Sequence, residues 1–147
     1  MPCNTTRRLR RRRHGFIRGS IAVGGDGAVS AWPPGLRAAP LGETPWAEGL
    51  GIVMRRVADE LPGRRLSLLS SGLGTPDDNW RTAVLRDELS VVEAAVADGL
   101  PIHSWFHQPW IDGYEWGAGF SVPFGLFTRQ RRPKDAALLL AETISGR

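Results

Sequence analysis

The chain has 147 residues, 41% hydrophobic and 23% charged, with one cysteine and a formal net charge of +4. This is an ordinary globular mixture, and it excludes a fibrous or low-complexity chain and an internal disulfide framework. No apolar run approaches the ~18–20 residues that span a bilayer, so a membrane-spanning helix is excluded too. The charge is uneven: residues 1–40 hold eight Arg against Asp26 alone, and residues 41–147 hold eleven bases against fourteen acids. The high pI therefore describes the head of the chain, and the body is mildly acidic.

Residues 1–43 read as an Arg/Gly-rich, disordered arm. Arg7, Arg8, Arg10 to Arg13 and Arg18 form a basic run, followed by Gly24, Gly25 and Gly27, with no apolar periodicity. Six close guanidiniums could release counterions from nucleic acid, which makes nucleic acid a partner to consider for Arg7 to Arg18. The plainer reading is a leader with no selected role. No hydrophobic stretch follows the basic run, which argues against a secretory signal and for a cytoplasmic protein.

Residues 44–147 alternate helix and strand. Thr44 and Pro45 suit an N-cap and first helical position, and Leu50, Val53, Met54, Val57, Ala58 and Leu61 recur at helical spacing up to Pro62-Gly63. Gly49 and Gly51 weaken the first turn. Residues 65–70 make a short apolar run of strand length. Thr75-Pro76-Asp77-Asp78 then opens a second helix with acids at the positive end of its dipole. Its buried stripe is Trp80, Val84, Leu85, Leu89, Val92, Ala95 and Val96, and Asp98-Gly99 closes it. Residues 101–107 read as a second strand, residues 108–123 as a Trp- and Gly-rich loop, and residues 133–143 as a last helix. Such alternation predicts βα units around a parallel sheet. Two strands alone leave that sheet incomplete.

The string Gly72-Leu73-Gly74-Thr75-Pro76-Asp77-Asp78-Asn79-Trp80-Arg81 is recognisable in order with Trp105-Phe106-His107, Asp112-Gly113-Tyr114-Glu115-Trp116, Gly119-Phe120 and Phe124-Gly125-Leu126. Together they resemble the C-terminal part of family 1 glycoside hydrolases, the β-glucosidase family. Arg132-Pro133-Lys134-Asp135-Ala136 is similar to that family's closing segment, and residues 45–63 to the helix before its seventh strand. The resemblance implies an α/β fold, a partial (β/α)8 TIM-barrel segment: about the last two βα units plus the preceding helix. It also implies a truncated chain acting in carbohydrate metabolism on β-glycosides or small saccharides, with no cofactor.

Retaining glycosidases need two carboxyl groups ~5–5.5 Å apart. In the family the nucleophile is the Glu of a Thr-Glu-Asn-Gly-like segment ending the seventh strand; aligned on Gly72, that position is Ser70. A serine hydroxyl without an adjacent base cannot replace a carboxylate there. The family's acid/base Glu lies in an Asn-Glu-Pro segment that these 147 residues do not contain. The resemblance therefore implies no catalytic residue. It does imply sugar contacts: Glu115 and Trp116 match a Glu–Trp pair that holds the glycone, and Gln108 stands where the family has the Trp of the pocket floor. Carboxylate acceptors beside an aromatic face suit a polyol. Trp105, Phe106 and Trp110 read as packing residues, and Asp77 and Asp78 as helix-start residues. His103 and His107, four apart on a strand, should face one side, but two histidines without a third ligand make a poor metal site.

Two functions follow. One is a β-glycosidase-like protein, inactive by itself. The other is a non-catalytic interaction protein, an Arg-rich arm on a partial barrel that self-associates or pairs with a complementary barrel fragment.

Overall fold

The computed structural model describes residues 21–23, 29–31 and 36–146. The basic run at Arg7 to Arg18, with the nucleic-acid contact expected of it, lies outside the described residues. The chain divides into two compact units, Met1–Trp32 and Pro33–Arg147. In the first, β1 (Ile21–Val23) pairs antiparallel with β2 (Val29–Ala31), Ala22 opposite Ser30. That pair was not evident from the composition of the head.

The second unit runs α1 (Ala47–Glu60), β3 (Leu66–Ser71), α2 (Asp78–Ala97), β4 (Ile102–His107) and α3 (Asp135–Ser145). Strands β3 and β4 are parallel neighbours joined by a helical crossover, the βα arrangement expected from the alternation. The packed body begins before α1: Ala39 is buried, and Arg37 pairs with Asp77 at 2.9 Å while its guanidinium lies 3.9 Å from the Trp80 ring centre.

Helix α1 starts at Ala47, with Trp46 as its N-cap, rather than at Pro45. The two glycines that weaken its helical propensity are contact points. A Cβ on Gly49 would collide with the Trp46 ring, and one on Gly51 would lie 3.0 Å from Val91 of α2. The buried stripe is correspondingly narrower than its periodicity suggests: Met54 is buried, and Val53 and Leu61 are exposed. Helix α2 begins as expected, the Asp77 carboxylate accepting the Trp80 N–H at 3.1 Å.

Two apolar clusters form the core. Leu85, Leu89, Leu126, Ala136, Ala137 and Leu140 join α2, the long loop and α3. Met54, Val92 and Ala95 join α1 to α2. Trp105 of β4 packs against both, so it is a packing residue, as read from the sequence. Among the described residues no helix is long and apolar enough to cross a membrane.

Candidate functional site

The carboxyl ends of β3 and β4 lie side by side, Ser71 opposite His107, and this end of parallel strands is where barrel enzymes build their sites. Two irregularities decide which side chains face which way. Leu66 pairs with Ile102 but Ser67 pairs with Ser104, leaving His103 as an extra residue on β4. Leu68 pairs with Trp105 but Ser71 with His107, so Leu69 and Ser70 together oppose Phe106. Strict alternation therefore fails. Leu68 and Ser71 turn toward the helices, while Leu69, Ser70 and Phe106 are exposed on the other face.

Ser70, which the sequence resemblance aligns with the nucleophile position, thus presents its hydroxyl on the open face at the strand end. The two terminal residues of each strand (Ser70, Ser71, Phe106, His107) include no carboxylate. Gln108 follows β4 directly and is exposed; its N–H donates to the Ser71 carbonyl at 2.8 Å. Gly72 is required where the chain leaves β3, because a Cβ there would collide with the Gln108 carbonyl. The sequence-predicted Ser70 and Gln108 are brought to one end of one sheet.

The bulge overturns the expectation that His103 and His107 share a side: His103 is exposed and His107 is buried. The Nδ1 of His107 lies 2.8 Å from the Ser71 carbonyl, and its Nε2 is enclosed without a hydrogen-bond partner. Burial, with a smaller contribution from the Arg81 cation, pushes the imidazole down to about 4. Beside it, the Glu88 carboxyl accepts the Ser71 hydroxyl proton, and burial raises its pKa. This crevice faces α2, away from Ser70.

Glu115 and Trp116 lie on a tight turn. The Glu115 N–H donates to the Gly119 carbonyl at 2.7 Å and the Gly119 N–H returns to the Glu115 carbonyl at 2.8 Å. Gly117 and Gly119 close it at φ +86° and +60°, in the left-handed region that favours glycine. Trp116 is 91% exposed, and Glu115 is half-buried beside it. Tyr114 packs edge-on against both Trp116 and Phe120, at 6.0 and 5.4 Å between ring centres, and Arg129 covers Phe120 at 4.3 Å. The turn therefore offers an acceptor and an open aromatic face on a supported base.

Residues that the sequence showed only as members of motifs, with no contact assigned to them, hold this loop in place. Arg81, 2% exposed, donates to the Pro123 carbonyl at 2.8 Å and also to the Thr75 carbonyl and Asp78. Asp112 accepts the Gly125 N–H at 2.8 Å and the Lys134 ammonium at 2.7 Å. The three-residue spacing of Asp78 and Arg81 on a helix was the one signal that could have revealed the first of these ties.

No family model matches the chain. Curated relatives do. A bifunctional β-D-glucosidase/β-D-fucosidase of Bifidobacterium breve is 30% identical over 111 residues, covering 65% of this chain and 24% of that protein. A 6-phospho-β-galactosidase of Streptococcus mutans is 29% identical over 133 residues, covering 74% and 28%. Among solved structures, β-glucosidase 1317 superposes with a TM-score of 0.70 at 28% identity, over 82% of this chain and 31% of the other. The β-glycosidase of Pyrococcus horikoshii does so with a TM-score of 0.66 at 29% identity, over 75% and 27%. The chain thus spans about a quarter of the length of the curated relatives it matches.

Fold and sequence together define a β-glycosidase-like chain carrying part of a TIM barrel. The resemblance is to glycoside hydrolase family 1, and it extends over part of the barrel.

Proposed function

We propose that this chain is a family 1-like carbohydrate protein that contacts a saccharide through Glu115 and Trp116, with Gln108 nearby, and that does not by itself cleave glycosidic bonds. The observation that carries the proposal is the Ser70 hydroxyl on the open face at the end of β3, where a retaining enzyme needs a carboxylate. Without that group there is no covalent intermediate, and without a second carboxyl on the open face no general acid for the leaving oxygen. Glu88 does not supply one, because its carboxyl is engaged by Ser71 on the helix side. The exposed Trp116 face and the adjacent Glu115 acceptor fit the apolar C–H face and the hydroxyls of a pyranose.

The test pairs an assay with a binding measurement. Purified chain should release no p-nitrophenol from aryl β-glucosides or β-galactosides above a vector-only preparation, and Ser70→Glu should not restore release. Saturation-transfer NMR with millimolar glucose or cellobiose should show contact that Trp116→Ala removes. Turnover abolished by Glu115→Ala, or saccharide contact unchanged in Trp116→Ala, would overturn the proposal.

A further inference from the structure

The loop between β4 and α3 reverses the charge of the body. Residues 41–107 hold six bases against ten acids, whereas residues 108–134 hold four bases against two acids. Three of those bases, Arg129, Arg131 and Arg132, are exposed on one turn, and among the described residues none of them is in an ion pair. The fourth, Lys134, is engaged by Asp112, which leaves Glu115 as the loop's other acid. Asp135 follows at the start of α3, where the positive end of the helix dipole favours it. The turn is closed tightly: the Thr128 N–H donates to the Arg132 carbonyl at 2.9 Å, and the Arg131 N–H to the Thr128 carbonyl at 2.8 Å. Arg131 takes φ +60° and is the one non-glycine residue among those described that enters the left-handed region. Gly or Asn meets that geometry with less strain, so the backbone of the turn does not itself call for Arg.

This turn adjoins an aromatic surface. The Arg129 guanidinium lies 4.3 Å from the Phe120 ring centre, Phe120 meets Tyr114 edge-on at 5.4 Å, and Tyr114 meets Trp116 edge-on at 6.0 Å. Phe120, Tyr114 and Trp116 are 57%, 59% and 91% exposed. Cations without a protein partner beside open aromatic faces suit an unpaired nucleic-acid strand: guanidiniums take the phosphate oxygens, and the rings stack on bases that have no pairing partner of their own. An acidic peptide would satisfy the arginines and leave the three rings uncovered. A duplex keeps its base faces stacked on one another, out of reach of the rings. We propose that the Arg129–Arg132 turn and the adjoining surface of Tyr114, Trp116 and Phe120 bind single-stranded nucleic acid, by its phosphates and base faces and without reading base sequence. This goes beyond the saccharide reading and shares with it only the Glu115–Trp116 turn.

The experiment titrates the full chain into a fluorescent oligothymidylate of about 12 nucleotides and follows anisotropy between about 50 and 200 mM salt. Each phosphate contact to a single strand contributes a slope of about 0.7 in log affinity against log salt, so Arg129→Gln, Arg131→Gly and Arg132→Gln combined should lower the slope by about 2. Trp116→Ala should weaken single-strand binding about fivefold or more, with the slope and the affinity for duplex unchanged. Arg131→Gly alone should weaken binding and keep the thermal melt of the parent, because glycine meets φ +60° without strain; a loss of binding there is not a loss of fold. All of these effects should persist when Arg10, Arg11, Arg12 and Arg13 are replaced by Gln, which removes binding by the basic head of the chain. Binding unchanged in the triple variant and lost with the Arg10 to Arg13 substitutions overturns the proposal, as does a polyglutamate peptide binding as tightly as the oligonucleotide. Equal weakening of single strand and duplex in Trp116→Ala overturns it too, because stacking on unpaired bases would then have no part. The triple variant should keep its saturation-transfer signal with glucose, so a failure here leaves the saccharide reading standing.

Discussion

Arg81 is the residue on which the site's architecture most depends. Its planar fork serves Asp78, the Thr75 carbonyl and the Pro123 carbonyl at once, joining the start of α2 to the far end of the long loop. Arg81→Met should cost about 3–5 kcal/mol, because the partly buried Asp78 carboxylate loses its cation and the Thr75 carbonyl its side-chain donor. Arg81→Lys should recover only part, since an ammonium cannot reproduce the fork; urea unfolding of the three proteins checks the order. His107 and Glu88 make a second residue-scale prediction. The His107 imidazole titrates near 4 when folded against ~6.5 when unfolded, so between these values only the unfolded chain takes the proton. Stability from His107 is therefore complete above about pH 6.5 and is lost as pH falls toward 4. Glu88 has the opposite slope: its raised pKa keeps the proton in the folded state, and that contribution is lost as pH rises through it. Urea midpoints at pH 5 and 7 should differ less in His107→Asn than in the parent, and Glu88→Gln should gain most at the higher pH. Parallel pH profiles for all three would contradict this account of the crevice. The burial of His107 was not legible in the sequence, where its spacing from His103 suggested a shared face; the bulge at His103 separates them.

At the scale of elements, helix and strand positions followed from periodicity and punctuation. α2 opens at the acidic cluster and ends at Asp98-Gly99 because an N-cap carboxylate and a left-handed glycine meet the unpaired groups at each end. The loop between β4 and α3 was legible only as a loop. Its shape is set by Asp112, which bonds Gly125 and Lys134, and by Gly125, where a Cβ would collide with the Asp112 backbone nitrogen. Backbone cannot yield as a flexible side-chain tip can, so Gly125→Ala should destabilise by about 1–3 kcal/mol. It should also weaken any saccharide contact at Trp116, because the turn hangs from the same loop. A thermal melt and the saturation-transfer signal should fall together; a fall in the melt alone would mean that the turn is held independently of Gly125.

At the scale of the whole molecule, the sheet of the second unit is two parallel strands packed against helices, with a core divided between two clusters. Parallel sheets draw their stability from burial on both faces and from a ladder partner on each side. Here Leu69 and Phe106 on the open face remain exposed. The chain alone should therefore melt broadly, as followed by far-ultraviolet circular dichroism. A sharp, concentration-independent melt of strictly monomeric chain would show that these surfaces are stable as they stand.

The sequence by itself determined the alternation of helix and strand, the βα arrangement of the body and the family it resembles. Each is local in the chain: period, caps and ordered motifs are read within a few residues of one another. What faces what was decided only by the tertiary structure. The bulges in β3 and β4 set Ser70 on the open face and turn Ser71 and His107 toward α2. Arg81 reaches across 42 residues to Pro123, and Arg129 meets the Phe120 ring only through the folding of the loop between β4 and α3. Those outcomes depend on register and on contacts between residues remote in sequence, which no local pattern encodes.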